Sequence, residues 1–394
     1  MNKKRFAAAC LTAVFFAAPA PAPAAEPVKI GVLLPFSGVY GGLGSDQERA
    51  LGLGFDTFGR TVGGRGIVLV KADTEAKPAV GLQKARELIL RDRVDLLVGI
   101  ISSAVAGAVR DYVHNAGVPL FITNAGNDLL TGARCSPWII RTSFSNSQIV
   151  RGMGPWLHRR GYRSAFLMAF DYAAGHQMMD AFRDSFTSAG GAIAGEEYPP
   201  LGQVQDFAPY LVKLKSAAPD VTFVFFAGPP AIKFAREYAA FGLNRGIPLA
   251  AAGWLTSALH IDRQGGEVDG VYSILNYVPS IASAENAAFQ RAHKARFGRA
   301  GSEYGVAAYD TARLIVDALA AVNADLSDKS AFLRAVHAVS FNGPRGPFRI
   351  DPATNNIIQN IYISQVRRSA RGGVTAEVLD VLPGMRDQAR GCRM

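Results

Sequence analysis

The stretch 28–44 most constrains this chain. Val28, Ile30, Val32, Leu33 and Leu34 make an apolar run that stops at Pro35, and Ser37, Gly38, Gly41, Gly42 and Gly44 follow. A run of that kind reads as a buried parallel strand that empties into a small-residue loop at its carboxyl end. The pattern returns at 66–72, 94–100 and 118–123, which end in Asp73, in Ser102 and Ser103, and in Asn124, Ala125 and Gly126. Amphipathic segments at 78–91 and 104–115 separate these runs, with Leu82, Ala85, Leu88 and Ile89 on one helical face. Strands spaced by helices predict βαβ units, a parallel sheet and right-handed crossovers. In open α/β sheets, loops at the carboxyl ends of strands are where ligands sit.

The alternation then begins a second time. Strands are expected at 165–170, 221–226 and 248–252, ending in Asp171 and Tyr172, in Ala227 and Gly228, and in Gly253, Trp254, Leu255 and Thr256. Helices are expected at 147–160, 175–189, 207–217 and 231–241, then at 284–297, 302–322 and 329–339, before an antiparallel hairpin at 348–350 and 357–365. With 394 residues, two domains are the prior. The late helical block has no strands to cover, so it should fold back onto the first unit.

Residues 1–25 follow a different rule. Lys3, Lys4 and Arg5 precede an apolar core at 6–18 and a small-residue exit at 20–25, the pattern of a secretory signal peptide cleaved before Glu26. Removing its three basic residues lowers the formal charge from +10 to +7. The remaining Lys and Arg are scattered and not interleaved with aromatics, which argues for a soluble exported protein and against nucleic acid. Cys135 and Cys392 remain after Cys10 leaves with the leader. An even pair in an oxidising compartment reads as one disulfide, with two separate thiols as the other reading.

Motifs of catalysis are missing. The chain has no Walker loop, no Gly-x-Ser-x-Gly, no His-Glu-x-x-His and no Cys-x-x-Cys, and its six histidines have no acidic partner at ligand spacing. Glycines 38, 41, 42 and 44 miss the dinucleotide spacing. The sequence therefore argues against an enzyme, and no cofactor and no metal are expected.

The segments 29–38, 95–103, 118–120, 140–142 and 304–310 resemble, in order along the whole mature chain, periplasmic solute-binding proteins of the leucine/isoleucine/valine-binding type. That resemblance implies the periplasmic, monomeric substrate-capturing component of an ATP-binding-cassette importer, docking on a membrane permease. It implies an α/β fold of two Rossmann-like lobes with parallel central sheets, joined by three hinge crossovers near 141–146, 274–280 and 342–347. Lobe 1 would take residues 26–142 and 279–343, lobe 2 residues 145–275 and 346–383, and residues 384–394 would form a tail. Closure over the ligand then works through contacts made only in the closed state.

The resemblance also implies a pocket. Tyr40 or Leu43 would reach the cleft, Ser103 with Ser102 beside it would meet a ligand carboxylate, and Asn124, Ala125 and Gly126 would complete that contact. The threonine usual near Ala125 is missing. Tyr172 matches a pocket aromatic, whereas Gly228 replaces one and should leave room. Amino-acid binders of this type carry a glutamate in the stretch occupied here by residues 253–256, and this chain has none. Burying an unpaired ammonium costs several kcal/mol, a factor of roughly a thousand in affinity at ~1.4 kcal/mol per tenfold. Hydroxyls and backbone N–H groups still hold a carboxylate, at about 1.5–3 kcal/mol per charge-assisted bond. Trp254, Tyr172, Tyr40 and Phe36 offer a sandwich for a ring, whose burial of about 150 Å² contributes around 4 kcal/mol. The expected ligand is an aromatic acid of the benzoate, hydroxybenzoate or hydroxycinnamate type. The alternative is a branched-chain or other aliphatic amino acid or amide, with Asp171, Asp73 or Glu75 supplying the anion and Trp254 serving as core.

Overall fold

The computed structural model describes residues 1, 26–201, 206–368, 373–388 and 390–394. Apart from Met1, the expected leader lies outside the described residues. The first unit holds strands β1 (Val28–Leu34), β2 (Thr61–Val62), β3 (Arg65–Asp73), β4 (Leu96–Gly99), β5 (Leu120–Ile122) and β6 (Ile139–Arg141). The second holds β7 (Ser164–Ala169), β8 (Ala192–Glu197), β9 (Val221–Phe225), β10 (Leu249–Ala252) and β11 (Tyr272–Leu275). Late in the chain come β12 (Ser340–Gly343), β13 (Gly346–Asp351), β14 (Asn356–Arg368) and β15 (Val374–Met385).

The first sheet runs β2-β3-β1-β4-β5-β6 and the second β8-β7-β9-β10-β11-β14-β15. Pairing is parallel throughout β3-β1-β4-β5-β6 and β8-β7-β9-β10-β11. Both faces of these sheets are covered, so their strands are near-continuous apolar runs. In β1, Val28, Ile30, Val32 and Leu34 enter one core cluster, while Leu33 enters another with Ala85, Leu97 and Val109. The helix Glu303–Ala321 packs on the helix Gly41–Phe58 of the first unit, with Ala312 and Tyr309 against Gly54, as a strandless helical block requires.

The expected helix over 147–160 is two helices, Asn146–Val150 and Met153–Arg159. At the break, a side chain on Gly152 would meet Leu382 Cδ1 at 2.2 Å.

The third passage between units differs from its expected place at 342–347. There β12 and β13 form an antiparallel hairpin with Gly343 opposite Gly346, so the Gly-Pro-Arg-Gly cluster is a two-residue turn. Gly346 has φ +91°, the left-handed region that turn needs. β14 begins beside β6 and β13, and ends beside β11 and β15. The chain therefore crosses inside β14, near an irregularity between Gln359 and Ile361, and 346–351 stays with the first sheet. The three crossing segments are bound to one another by buried polar groups. Arg345, 2% exposed, donates to Asp310 at 2.8 Å, to Gln359 at 3.1 Å and to the Thr142 carbonyl at 3.1 Å. Gln359 and Asn276 both donate to the Ser143 carbonyl, at 2.6 and 3.2 Å.

The tail returns to the first unit. Cys392 is joined to Cys135 with Cα atoms 5.4 Å apart, and Asp387 pairs with buried Arg141 at 3.3 Å.

Candidate functional site

A narrow cavity, of about 30 Å³, lies between the carboxyl ends of the two sheets. Three helices begin at its wall, Gly41–Phe58, Ser103–Ala116 and Ala173–Ser188, and their N-cap residues Tyr40, Ser102 and Tyr172 all line it. None of these N-caps spends its side chain on its own helix, and none of the three helices has an acid in its first turn. The first N–H groups of a helix lack intrahelical partners and carry partial positive charge. An anion in this cavity would be met by such groups from both units.

Among its lining residues there is no Asp, Glu, Lys, Arg or His. Polarity comes from Ser102, Ser103, Asn124, Asn146 and three tyrosines, Tyr40, Tyr172 and Tyr304. Burial pushes all three phenols above their usual pKa, so each remains an O–H donor. The Tyr40 and Tyr172 phenols are neighbours on this wall and act on each other's pKa. Tyr304, 1% exposed, has a hydroxyl with no partner. A buried O–H left unmatched costs about 1–3 kcal/mol, so this group is set to donate to something that enters. The Ser103 hydroxyl receives only a long contact, 3.4 Å from Asn146 Nδ2, whose firmer bond is to Gln177 at 2.7 Å.

Aromatic rings complete the wall. Trp254 packs against Phe144 and Phe225, with centroids 4.9 and 5.3 Å away, and Tyr172 stacks on Phe225 at 6.2 Å. Trp254 is thus both a core residue and a wall residue. Gly126 is required by close approach, because a Cβ there would lie 2.2 Å from Asn146 Oδ1 and 2.7 Å from Phe144.

Of the residues expected from the sequence, Tyr40, Leu43, Ser102, Ser103, Asn124, Gly126, Tyr172 and Trp254 come together at this cavity. Two do not. The Ala125 N–H is already spent on the Ile100 carbonyl at 3.0 Å, part of the turn that leaves β5, so it is not free for a carboxylate. Gly228 caps the helix Pro229–Ala240 and lines a neighbouring crevice with Val39, His260 and Arg263. Ala227 and Phe225 face the cavity in its place. Phe36 is also off the wall. The three acids considered as an amine's partner are committed elsewhere. Asp73 accepts from Ser37 and the Phe36 N–H, Glu75 pairs with Lys77 at 2.7 Å, and Asp171 pairs with His176 at 2.8 Å.

Tyr304, Phe144, Asn146 and Phe225 were not expected at the site. Tyr304 falls in the family-like segment 304–310, but a helical period does not say which cavity a first-turn residue meets. Phe144 and Asn146 belong to a crossing segment, which has no period.

Two α/β units closing on an uncharged, donor-rich cavity define a receptor for a small molecule. The chain belongs to the periplasmic binding protein family, whose model matches residues 27–373. A Leu/Ile/Val-binding protein homolog 6 from Brucella melitensis is 30% identical over 362 residues, 91% of this chain and 92% of its own. An ABC transporter substrate-binding protein from Sphaerobacter thermophilus superposes with TM-score 0.88 at 37% identity, over 92% of this chain and 100% of its own. A solute-binding protein of an ABC transporter from R. palustris, solved in complex with benzoate, gives TM-score 0.87 at 34% identity, over 93% and 100%. No helix among the described residues is long and apolar enough to cross a membrane.

Proposed function

We propose that this protein captures an aromatic carboxylate of the benzoate, hydroxybenzoate or hydroxycinnamate type in the cavity between its two units. It does so in the periplasm, as a monomer, and hands the ligand to the permease of an ABC importer without altering it. The observation that carries this reading is the lining itself, with three neutral phenols, two serines and a cluster of rings but no acidic side chain. The R. palustris relative, crystallised with benzoate, supports the same chemistry. In this reading the carboxylate accepts from Tyr304, Ser103 and the N-terminus of the helix Ser103–Ala116. The ring lies among Trp254, Phe144 and Phe225. The hinge passes through the crossing segments, with its third strand in β14.

The Brucella relative's name favours a second reading, a branched-chain amino acid. That ligand would bring an ammonium into a cavity with no anion to meet it. Isothermal titration with benzoate, 4-hydroxybenzoate, leucine, isoleucine and valine separates the two. Saturable binding of the aromatic acids alone supports the proposal, and binding of the amino acids alone overturns it.

A further inference from the structure

A second and larger cavity, of about 180 Å³, lies beside the first and shares no lining residue with it. Its walls come from both units. Glu303 and Ala300 come from the first, Thr256, Ala258, Asp262 and Ser273 from the second, and Tyr277–Ser280 from a crossing segment. The helix Glu303–Ala321 divides its first two residues between the cavities, with Tyr304 opening on the first and Glu303 on the second.

The chemistry of the two is opposite. Glu303 is only 6% exposed, and its Oε1 has no hydrogen-bond partner. Its Oε2 accepts a long bond from the Ala258 N–H at 3.4 Å. No Lys, Arg or His is among the lining residues, while Asp262 adds a second carboxylate at the exposed rim. The Thr256 and Ser273 hydroxyls bond each other at 2.6 Å. Leu275, Val278, Pro279 and Ile261 make the rest of the wall apolar. A buried carboxylate oxygen without a donor is costly, and a cavity lined by carboxylates and apolar groups disfavours anions and favours a small cation with an apolar body.

We infer that this cavity is a second binding site, for a small molecule bearing a primary ammonium group on an apolar body, with Glu303 as its counter-ion. The three N–H donors of an ammonium match Glu303 Oε1 and leave two for neighbouring oxygens. The apolar body lies against Leu275, Val278 and Pro279. This site is independent of what fills the first cavity.

The test is titration of the whole mature protein with n-butylamine at pH 8, followed by calorimetry and by thermal shift. Saturable binding is expected, n-butanol should not bind, and Glu303→Gln should weaken butylamine at least tenfold. Ala376→Phe, which fills the cavity from β15 and keeps the carboxylate, should weaken it equally and serves if Glu303→Gln does not fold. Absence of saturable butylamine binding, or equal affinity in the foldable variants, would overturn the site and leave the cavity to water. 4-Hydroxybenzoate titrated into the same samples reports the first cavity separately, so either reading fails without the other.

Discussion

The ligand cavity and the crossing segments lie close together and are equally buried, yet they use opposite chemistry. Where the chain passes between units, full charges are buried in pairs. Arg345 meets Asp310 at 2.8 Å, and Arg141 meets Asp387 at 3.3 Å. Around the cavity no lining residue is charged, and polarity comes from neutral O–H groups and helix ends. The pairs fix positions, because a guanidinium with several partners tolerates few geometries. In the proposed function the neutral wall does the selecting. It can complement an added negative charge and holds no carboxylate to pair with an added positive one.

The largest expected effect comes from breaking the charged side of this contrast. Arg345→Met removes the cation from Asp310, whose pKa burial already raises despite the arginine. Removing one member of a buried pair costs about 3–5 kcal/mol, which urea unfolding would register as a lower midpoint. Replacing both, Arg345→Met with Asp310→Asn, should recover much of the loss. A single variant as stable as the parent would mean that the pair does not hold the crossing segments together.

Glu303 is the intermediate case, a buried carboxylate with no basic side chain around its cavity. Burial raises its pKa to about 7, against opposing hydrogen bonds from Ser257, its own N–H and the Ala258 N–H, while the charge of Asp46 adds to the rise. The folded protein thus keeps a proton that the unfolded chain releases near 4.5. Stability from this group is full below pH 4.5 and is lost as pH rises towards 7 and beyond. At about 1.36 kcal/mol per pKa unit the whole change is roughly 3 kcal/mol. Buried His260, whose pKa burial lowers to about 4, contributes the opposite trend, gaining stability as pH rises from 4 to 6.5. Comparing wild type with Glu303→Gln isolates the first term. Melting temperatures that diverge between pH 5 and pH 8 are expected, with the variant relatively more stable at pH 8. Parallel curves would mean that Glu303 is hydrated in solution.

How much of this was legible in the sequence depends on whether a local pattern carries it. The parallel strands announced themselves as apolar runs ending in small residues, and those same ends, at Ser102, Ser103, Asn124, Gly126 and Tyr172, meet at the cavity. The third passage was not legible, because a Gly-Pro-Arg-Gly cluster marks a turn equally well within a hairpin or between units. Only the pairing of β14 with partners in both sheets distinguishes them. Ala125 failed for a related reason. A backbone N–H is free or spent according to one carbonyl far along the chain, here Ile100, and no residue type encodes that. Gly228 sits one residue beyond the Ala227 that faces the cavity, and a helix start turns the backbone away within one residue. Glu303 and Tyr304 are the sharpest instance. Adjacent in sequence and both buried, they meet different cavities.

The finest test of the neutral wall sets two of its tyrosines against each other. Tyr304 has a buried, unmatched hydroxyl, whereas the Tyr40 hydroxyl has the Tyr172 phenol as its neighbour. If the carboxylate is read by O–H donors, Tyr304→Phe removes a bond to a charged group, worth about 1.5–3 kcal/mol, or roughly 10- to 150-fold in benzoate affinity. Without ligand the same change should leave stability unchanged or raise it, since it deletes a buried donor that has no partner. Tyr40→Phe removes a donor from the other end of the wall, and should cost benzoate no more than a neutral bond, about 0.5–1.5 kcal/mol. Calorimetry on both variants should therefore show the larger loss of affinity at Tyr304. The reverse order in calorimetry would place the carboxylate beside Tyr40 and Tyr172 and move the recognition of charge to the other end of the cavity.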